Sequence, residues 1–333
     1  MGNRTQRNLA KWELAALALA GAAGTLALAN KLAALAAGEP YSALTGESGR
    51  YAWEHGDIAY TVKGQGEPLV LMHGIYAGAS SYEFRRVFDA LARDFRVHAV
   101  DLLGFGLSAR PSIDYTPALY QALIRDFVNQ VVGGVDHPAY VVASSLSAAF
   151  VIRAAAERPD LVARLVLVEP TGLENLASRG NALLRALANR GLRSPLVGQG
   201  IYNLITSRPS IRYFLKAQTY GDPALASDDV ADYYYTTAHQ PGGRYAVAAF
   251  ISGVLNTPVA AVYPLLRQPI LLCWGKDARF APLENAAAFR KANLRAELRV
   301  FDCGSLPQDE CAGEFAREVR VWLKSSSRST SHG

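Results

Sequence analysis

Ser144, Ser145 and Ser147 stand where an aliphatic run, 139–143, meets a helical pattern, 146–157. A serine hydroxyl has too high a pKa to attack a carbonyl at neutral pH, so it needs an adjacent base. Six histidines are available: His55, His73, His98, His137, His239 and His332. His55 lies near a first hairpin, His98 inside a strand, His137 before a strand at its far end, and His332 in the tail. His73 opens a glycine-containing loop, and His239 in Thr236-Thr237-Ala238-His239 is the one placed to reach a strand end from above. Glu169, after the apolar run 165–168, and Asp277, in the loop after 270–274, are strand-end carboxylates suited to orienting a base. The three cysteines, Cys273, Cys303 and Cys311, lack paired metal-ligand spacing and read as small buried hydrophobes. No metal or organic cofactor is implied.

Positioning such residues requires a sheet. Strands are expected at 57–62, 69–72, 97–100, 139–143, 165–168, 270–274 and 297–301, and helices at 81–92, 117–132, 146–157, 283–291 and 314–324. Strand-helix alternation predicts an α/β protein, with a doubly wound, mostly parallel sheet and ligands at the carboxyl ends of its strands. The alternation stops from 172 to 268, which reads as a helical cap inserted over that end. The expected organisation is a leader and linker over 1–50, a core over 51–171 and 269–324, the cap between, and a disordered tail over 325–333.

Three further segments then become legible. His73-Gly74-Ile75 resembles the oxyanion loop of α/β-hydrolases, Asp101-Leu102-Leu103-Gly104-Phe105-Gly106-Leu107-Ser108 resembles their D-x-x-G-x-G-x-S turn, and Ala143-Ser144-Ser145-Leu146-Ser147 resembles the nucleophile elbow. The resemblance covers 51–324, the cap least. It implies Ser145 as nucleophile and the amides of Ile75 and Leu146 as oxyanion donors. Ala143 and Ser147 replace the elbow glycines with the next smallest residues.

The same resemblance exposes what is missing. Cys303-Gly304-Ser305-Leu306-Pro307-Gln308-Asp309-Glu310 resembles the G-H-x-P-x-x-E segment that delivers the base, with Ser305 in the histidine slot; Gln308, a second slot, is not ionisable. The acid slot in Trp274-Gly275-Lys276-Asp277-Ala278 falls on Ala278, with Asp277 one residue early and Glu169 an alternative position. Loss of a triad member removes ~10⁴–10⁶ in rate. The expectation is therefore a serine-hydrolase, carboxylesterase- or lipase-like scaffold with weak or lost activity. The alternative is an active ester hydrolase that uses Ser145 with an unconventional base such as His239. The 99–108 run and Gly64-Gln65-Gly66-Glu67-Pro68 also resemble the pheophytinase-like branch, which implies isoprenoid or pigment esters. Haloalkane dehalogenases are similar overall but need Asp where this chain has Ser145.

Composition bounds the partners. A net charge of +5 without a basic run or nucleic-acid motif argues against nucleic acid. Between Gly172 and Gln268, nine basic residues face five acids, a balance of +4 that favours an anionic surface or ligand or else marks a solvated helical face. Tyr202, Tyr213, Phe214, Tyr220, Tyr233, Tyr234, Tyr235 and Phe250 are the expected lining for a hydrophobic or lipid-like small molecule. Arg4, Arg7 and Lys11 precede Leu14 to Asn30, 17 residues without a charge. That pattern predicts an N-terminal apolar helix and membrane association of an otherwise cytoplasmic protein. A single-pass anchor, a signal cleaved near Ala27-Leu28-Ala29 and an alanine-rich helix lying on a surface all fit it. Gln6 excludes the myristoylation pattern.

Overall fold

The computed structural model describes residues 2–173 and 181–325. Eight strands form one sheet in the order β1-β2-β4-β3-β5-β6-β7-β8. They are β1 (Glu47–Trp53), β2 (Gly56–Lys63), β3 (Pro68–Met72), β4 (Arg96–Val100), β5 (Ala139–Ser144), β6 (Val162–Val168), β7 (Ile270–Gly275) and β8 (Ala296–Phe301). β1 pairs antiparallel with β2, and β2 with β4; the other neighbours are all parallel. Every residue of β3, β5 and β7 is buried, as expected of parallel strands covered on both faces.

The helices in chain order are α1 (Gly2–Leu35), α2 (Phe88–Leu91), α3 (Pro117–Phe127), α4 (Ser145–Glu157), α5 (Ala182–Leu192), α6 (Val197–Ile205), α7 (Arg208–Phe214), α8 (Asp228–Ala238), α9 (Arg244–Ile251), α10 (Glu284–Ala292), α11 (Pro307–Glu310) and α12 (Ala312–Ser325). Strand alternation sends Val70, Met72 and Val141 to the side of α3, α4 and α10, and Leu69, Leu71 and Val142 to the side of α2 and α12. The mostly parallel α/β sheet read from the sequence is thus present. Two local expectations change. The stretch 81–92 is not one helix but a 3₁₀ turn, Ser81–Phe84, and the single turn of α2. The helix expected to 132 ends at Phe127 and widens into a π turn over Val128–Val132, before Gly133.

Helices α5 to α9 fill the interval between β6 and β7. Tyr233, Tyr234 and Tyr235 on α8 pack with Tyr82, Ile211, Leu215 and Tyr220 into a third apolar cluster that also takes in Ala37, just beyond α1. Among the described residues, no helix is long and apolar enough to cross a membrane; alanine and glycine dominate the charge-free stretch of α1. The C-terminal half of α1 lies along α6 and α8 instead. Asn30 Nδ2 donates to the Leu196 carbonyl (3.2 Å), Asn203 Nδ2 to Asn30 Oδ1 (2.9 Å), and the Tyr235 hydroxyl to the Ala33 carbonyl (3.1 Å). The tail beyond Ser325 lies outside the described residues.

Candidate active site

The carboxyl ends of β3, β5, β6, β7 and β8 converge, and the candidate residues sit on the loops that leave them. Ser145 begins α4 directly after β5 with φ +53°, a left-handed conformation rare for a residue with a Cβ. Such strain at a strand-to-helix turn is how a nucleophile elbow presents its hydroxyl. The flanking small residues allow the turn. Ala143 is fully buried, and Ser147 is both buried and bonded, its hydroxyl donating to the His73 carbonyl (2.6 Å). Ser147 therefore ties α4 to the loop after β3. Leu146 is the second residue of α4, so its amide has no carbonyl one turn back within the helix. Ile75 is buried in the loop after β3, next to Gly74; a Cβ on Gly74 would lie 3.5 Å from Ser145 Cβ.

His73 is structural. Its Nδ1–H donates to the Gly74 carbonyl (2.7 Å) and its Nε2 accepts from the Leu102 amide (3.0 Å). Both nitrogens are occupied, and full burial holds the ring's pKa down, so it stays neutral. The Asp101 carboxylate closes the same turn, accepting from the amides of Ser81 and Leu107 (both 2.7 Å), while the Ser108 hydroxyl accepts from the Ala59 amide (2.8 Å).

Ser305, expected from the sequence in the base slot, follows β8. Its amide donates to the Thr219 carbonyl (2.8 Å), and its hydroxyl oxygen is shielded from solvent without an ordinary hydrogen bond. It lies close enough to Glu169 to favour that group's charged form. Glu169 follows β6 with φ +45° and accepts from the Gly275 amide through Oε1 (3.1 Å). Burial dominates, and pushes the Glu169 carboxyl up to about 9. Of the acid candidates, Glu169 is the one the structure sets beside Ser305. Ala278 is buried, whereas Asp277 is exposed and only its amide is anchored, to the Cys303 carbonyl (3.0 Å). A cleft of about 420 Å³ opens over this loop, lined by Gly221, Asp277, Ala278 and Arg279 among others, but not by Ser145.

His239 caps the C-terminus of α8 within the insertion. It stacks on Tyr235 at 4.0 Å, with Nδ1 2.9 Å from the Tyr235 carbonyl and Nε2 3.3 Å from the Thr206 hydroxyl. Burial lowers its pKa. Both ring nitrogens face partners inside the insertion. The expected lining residues are mostly packed too. The hydroxyls of Tyr202, Tyr220 and Tyr233 donate to the Ala238 carbonyl (2.7 Å), Asp309 Oδ2 (2.6 Å) and the Tyr41 carbonyl (3.1 Å), whereas Tyr213 and Phe214 are exposed.

One part of the site escaped sequence reasoning. Glu83 is fully buried and accepts from the Gly74 amide (2.9 Å), the Tyr76 hydroxyl (3.1 Å) and Gln308 Nε2 (2.6 Å). Burial raises its pKa too. Gln308 Nε2 is also 3.4 Å from the Ser144 hydroxyl, so a polar chain runs beneath the elbow from Ser144 to Tyr76. Beside it, Asp309 accepts from Arg85 (2.9 Å) and Tyr220. A lone Glu in Ser81-Tyr82-Glu83-Phe84 carries no sequence signal of such burial; only its place after the His73 loop hinted at it.

The order of strand-end segments finds its counterpart in known proteins: the sequence pattern of the Alpha/beta hydrolase family matches residues 69–318. The chain belongs to that family. A 2-hydroxy-6-oxo-6-(2'-aminophenyl)hexa-2,4-dienoic acid hydrolase of Metapseudomonas resinovorans is 30% identical over 238 residues, 70% of this chain and 75% of the relative. Among solved structures, a serine hydrolase involved in carbazole degradation superposes with TM-score 0.69 at 24% identity, covering 84% of this chain and 99% of its own. A bacterial membrane phospholipase A superposes with TM-score 0.63 at 21% identity and covers 97% of this chain and 98% of its own. At those identities the structural likenesses establish the alpha/beta hydrolase fold.

Proposed function

We propose that this alpha/beta hydrolase keeps a serine-hydrolase scaffold, with Ser145 in the nucleophile position and the Ile75 and Leu146 amides as oxyanion donors, but turns substrate over weakly or not at all. Its ligand would be a hydrophobic carbonyl compound held beneath the α5–α9 insertion, which would act as a cap. The observation that carries this reading is the occupant of the base position. Ser305 stands there, and no described histidine replaces it: His73 and His239 have both nitrogens engaged elsewhere, His98 lies within β4, His55 pairs with Glu54, and His137 is exposed before β5, at the end of the strand opposite Ser145. Without a base, the Ser145 hydroxyl has no acceptor for its proton during attack. Oxyanion donors and binding alone leave ~10³–10⁴ over water.

The relatives named as 2-hydroxy-6-oxo-dienoate hydrolases make such keto acids, together with short p-nitrophenyl esters, the first compounds to assay. The test is restoration at one position. Ser305→His places an imidazole beside Glu169 and should raise p-nitrophenyl acetate hydrolysis by ~10²-fold or more. The gain should vanish with Ser145→Ala. Wild-type protein that is already labelled rapidly at Ser145 by a fluorophosphonate, and that hydrolyses ester as fast as Ser305→His, would overturn the reading. Activity through His239 has no support in the geometry, because its ring is committed to Tyr235 and Thr206.

A further inference from the structure

The largest feature that the site leaves unexplained is apolar surface on α5, α6 and α1. None of the eleven residues of α5 is fully buried, only Arg185, Asn189 and Leu192 are half-buried, and Leu184 and Leu187 are 63% and 56% exposed. On α6, Val197 and Leu204 are 61% and 72% exposed. The described half of α1 rests on the insertion by a narrow stripe. Ala23, Leu26, Asn30, Ala33 and Ala37 are half-buried or buried at alternating spacings of three and four, while Leu28 and Leu32, off that stripe, are more than half exposed. The three helices adjoin: Leu26 approaches Gly200 of α6, Asn30 bonds Leu196 and Asn203, and the Gly198 amide of α6 is tied to Ser194, just after α5. Contiguous apolar surface on this scale marks an interaction site.

We propose that this face, shared by α5, α6 and the uncovered side of α1, docks on an anionic lipid bilayer. Charge selects the occupant. Residues 182–205 carry Arg185, Arg190 and Arg193 and no acid, and of these Arg193 is paired with Asp114 (2.5 Å) outside the segment. On α8, Asp228 and Asp232 are paired with Arg212 and Arg208. Arg190 is exposed among the leucines of α5. A second copy would bring the same acid-free helices together, whereas anionic headgroups would pair with the exposed Arg190 while acyl chains take the leucines. Docking here is in-plane, requires no helix to span the bilayer, and is independent of whether Ser145 turns substrate over.

The experiment is flotation of full-length protein with phosphatidylglycerol-containing vesicles and with pure phosphatidylcholine vesicles. Wild type should float with the anionic vesicles, about tenfold less with the neutral ones, and less in high salt. Leu187→Asp with Leu204→Asp should lose about tenfold or more of that binding with an unchanged melting curve. Leu294→Asp, at a 90% exposed position before β8, should bind as wild type does. The proposal fails if wild type ignores anionic vesicles, or if the double variant floats undiminished, which would assign attachment to the rest of α1. It fails equally if the double variant abolishes only a concentration-dependent dimer seen by light scattering.

Discussion

Glu169 shows how much one side chain's environment decides. Its carboxyl titrates near 4.5 in the unfolded chain and is pushed up to about 9 by burial in the fold. The folded state therefore binds the proton more tightly. The stability this contributes is fully present below pH 4.5 and is lost as pH rises toward 9. Glu169→Gln keeps an acceptor for the Gly275 amide and cannot ionise, so it should melt higher than wild type at pH 8 and close to it at pH 4. At ~2–4 °C per kcal/mol the difference is measurable by calorimetry in the two buffers. A melting difference independent of pH would contradict a buried neutral acid. The sequence allowed Glu169 to be named, because it ends an apolar strand. It did not allow a choice between Glu169, Asp277 and Ala278, since which of three strand-end residues turns inward depends on backbone torsion. The left-handed φ of Glu169 and the exposure of Asp277 are tertiary outcomes.

At the level of elements, the strands were legible and the loops between them were not. Continuous runs such as Leu69-Val70-Leu71-Met72 leave a buried parallel strand little alternative, because both faces of the sheet are covered. The 3₁₀ turn at Ser81–Phe84 looked helical because its apolar spacing matches one turn of either helix, yet Glu83 there is drawn inward to the Gly74 amide and Gln308. How the β7 and β8 loops meet was equally hidden. A Cβ on Gly275 would come within 1.8 Å of the Gly304 carbonyl oxygen, and one on Gly304 within 2.4 Å of both the Gly221 amide nitrogen and the Thr219 carbonyl. The insertion is thus pressed backbone to backbone onto the loop that carries Ser305. Gly275→Ala should destabilise the fold by about 2–4 kcal/mol, since backbone rather than a flexible side chain must yield. Gly313→Ala, at a helical position with nothing within 4 Å, should be neutral or slightly stabilising. Urea titration of the two variants separates them, and equal midpoints would mean that the loops are not held together as described.

Over the whole molecule, the fold divides into a sheet core and a helical superstructure joined to α1 by few polar contacts. The charge-free stretch of α1 reads from the sequence as an anchor, a cleaved signal or a helix lying on a surface, and Asn30, its last residue, is the one that the structure uses. It accepts from Asn203 and donates to the Leu196 carbonyl, both on the α6 side. An Asn side chain in an Ala/Leu helix gains nothing from lipid, whereas two hydrogen bonds to the insertion fix the register of the stripe from Ala23 to Ala37. Asn30→Ala should therefore loosen α1 without unfolding the sheet. Each hydrogen bond contributes about 0.5–1.5 kcal/mol, so the loss corresponds to roughly tenfold or more in the local opening equilibrium. Hydrogen exchange should accelerate by that factor in residues 20–37 and along α6, while β3, β5, β6 and β7 keep wild-type protection. Vesicle binding by the same variant follows from this separation. Freed from Leu196 and Asn203, α1 would no longer hold Leu28 and Leu32 beside the α6 leucines, so affinity for anionic vesicles should fall although no lipid-facing side chain has changed. Protection lost uniformly through the sheet would instead make α1 an integral part of the core.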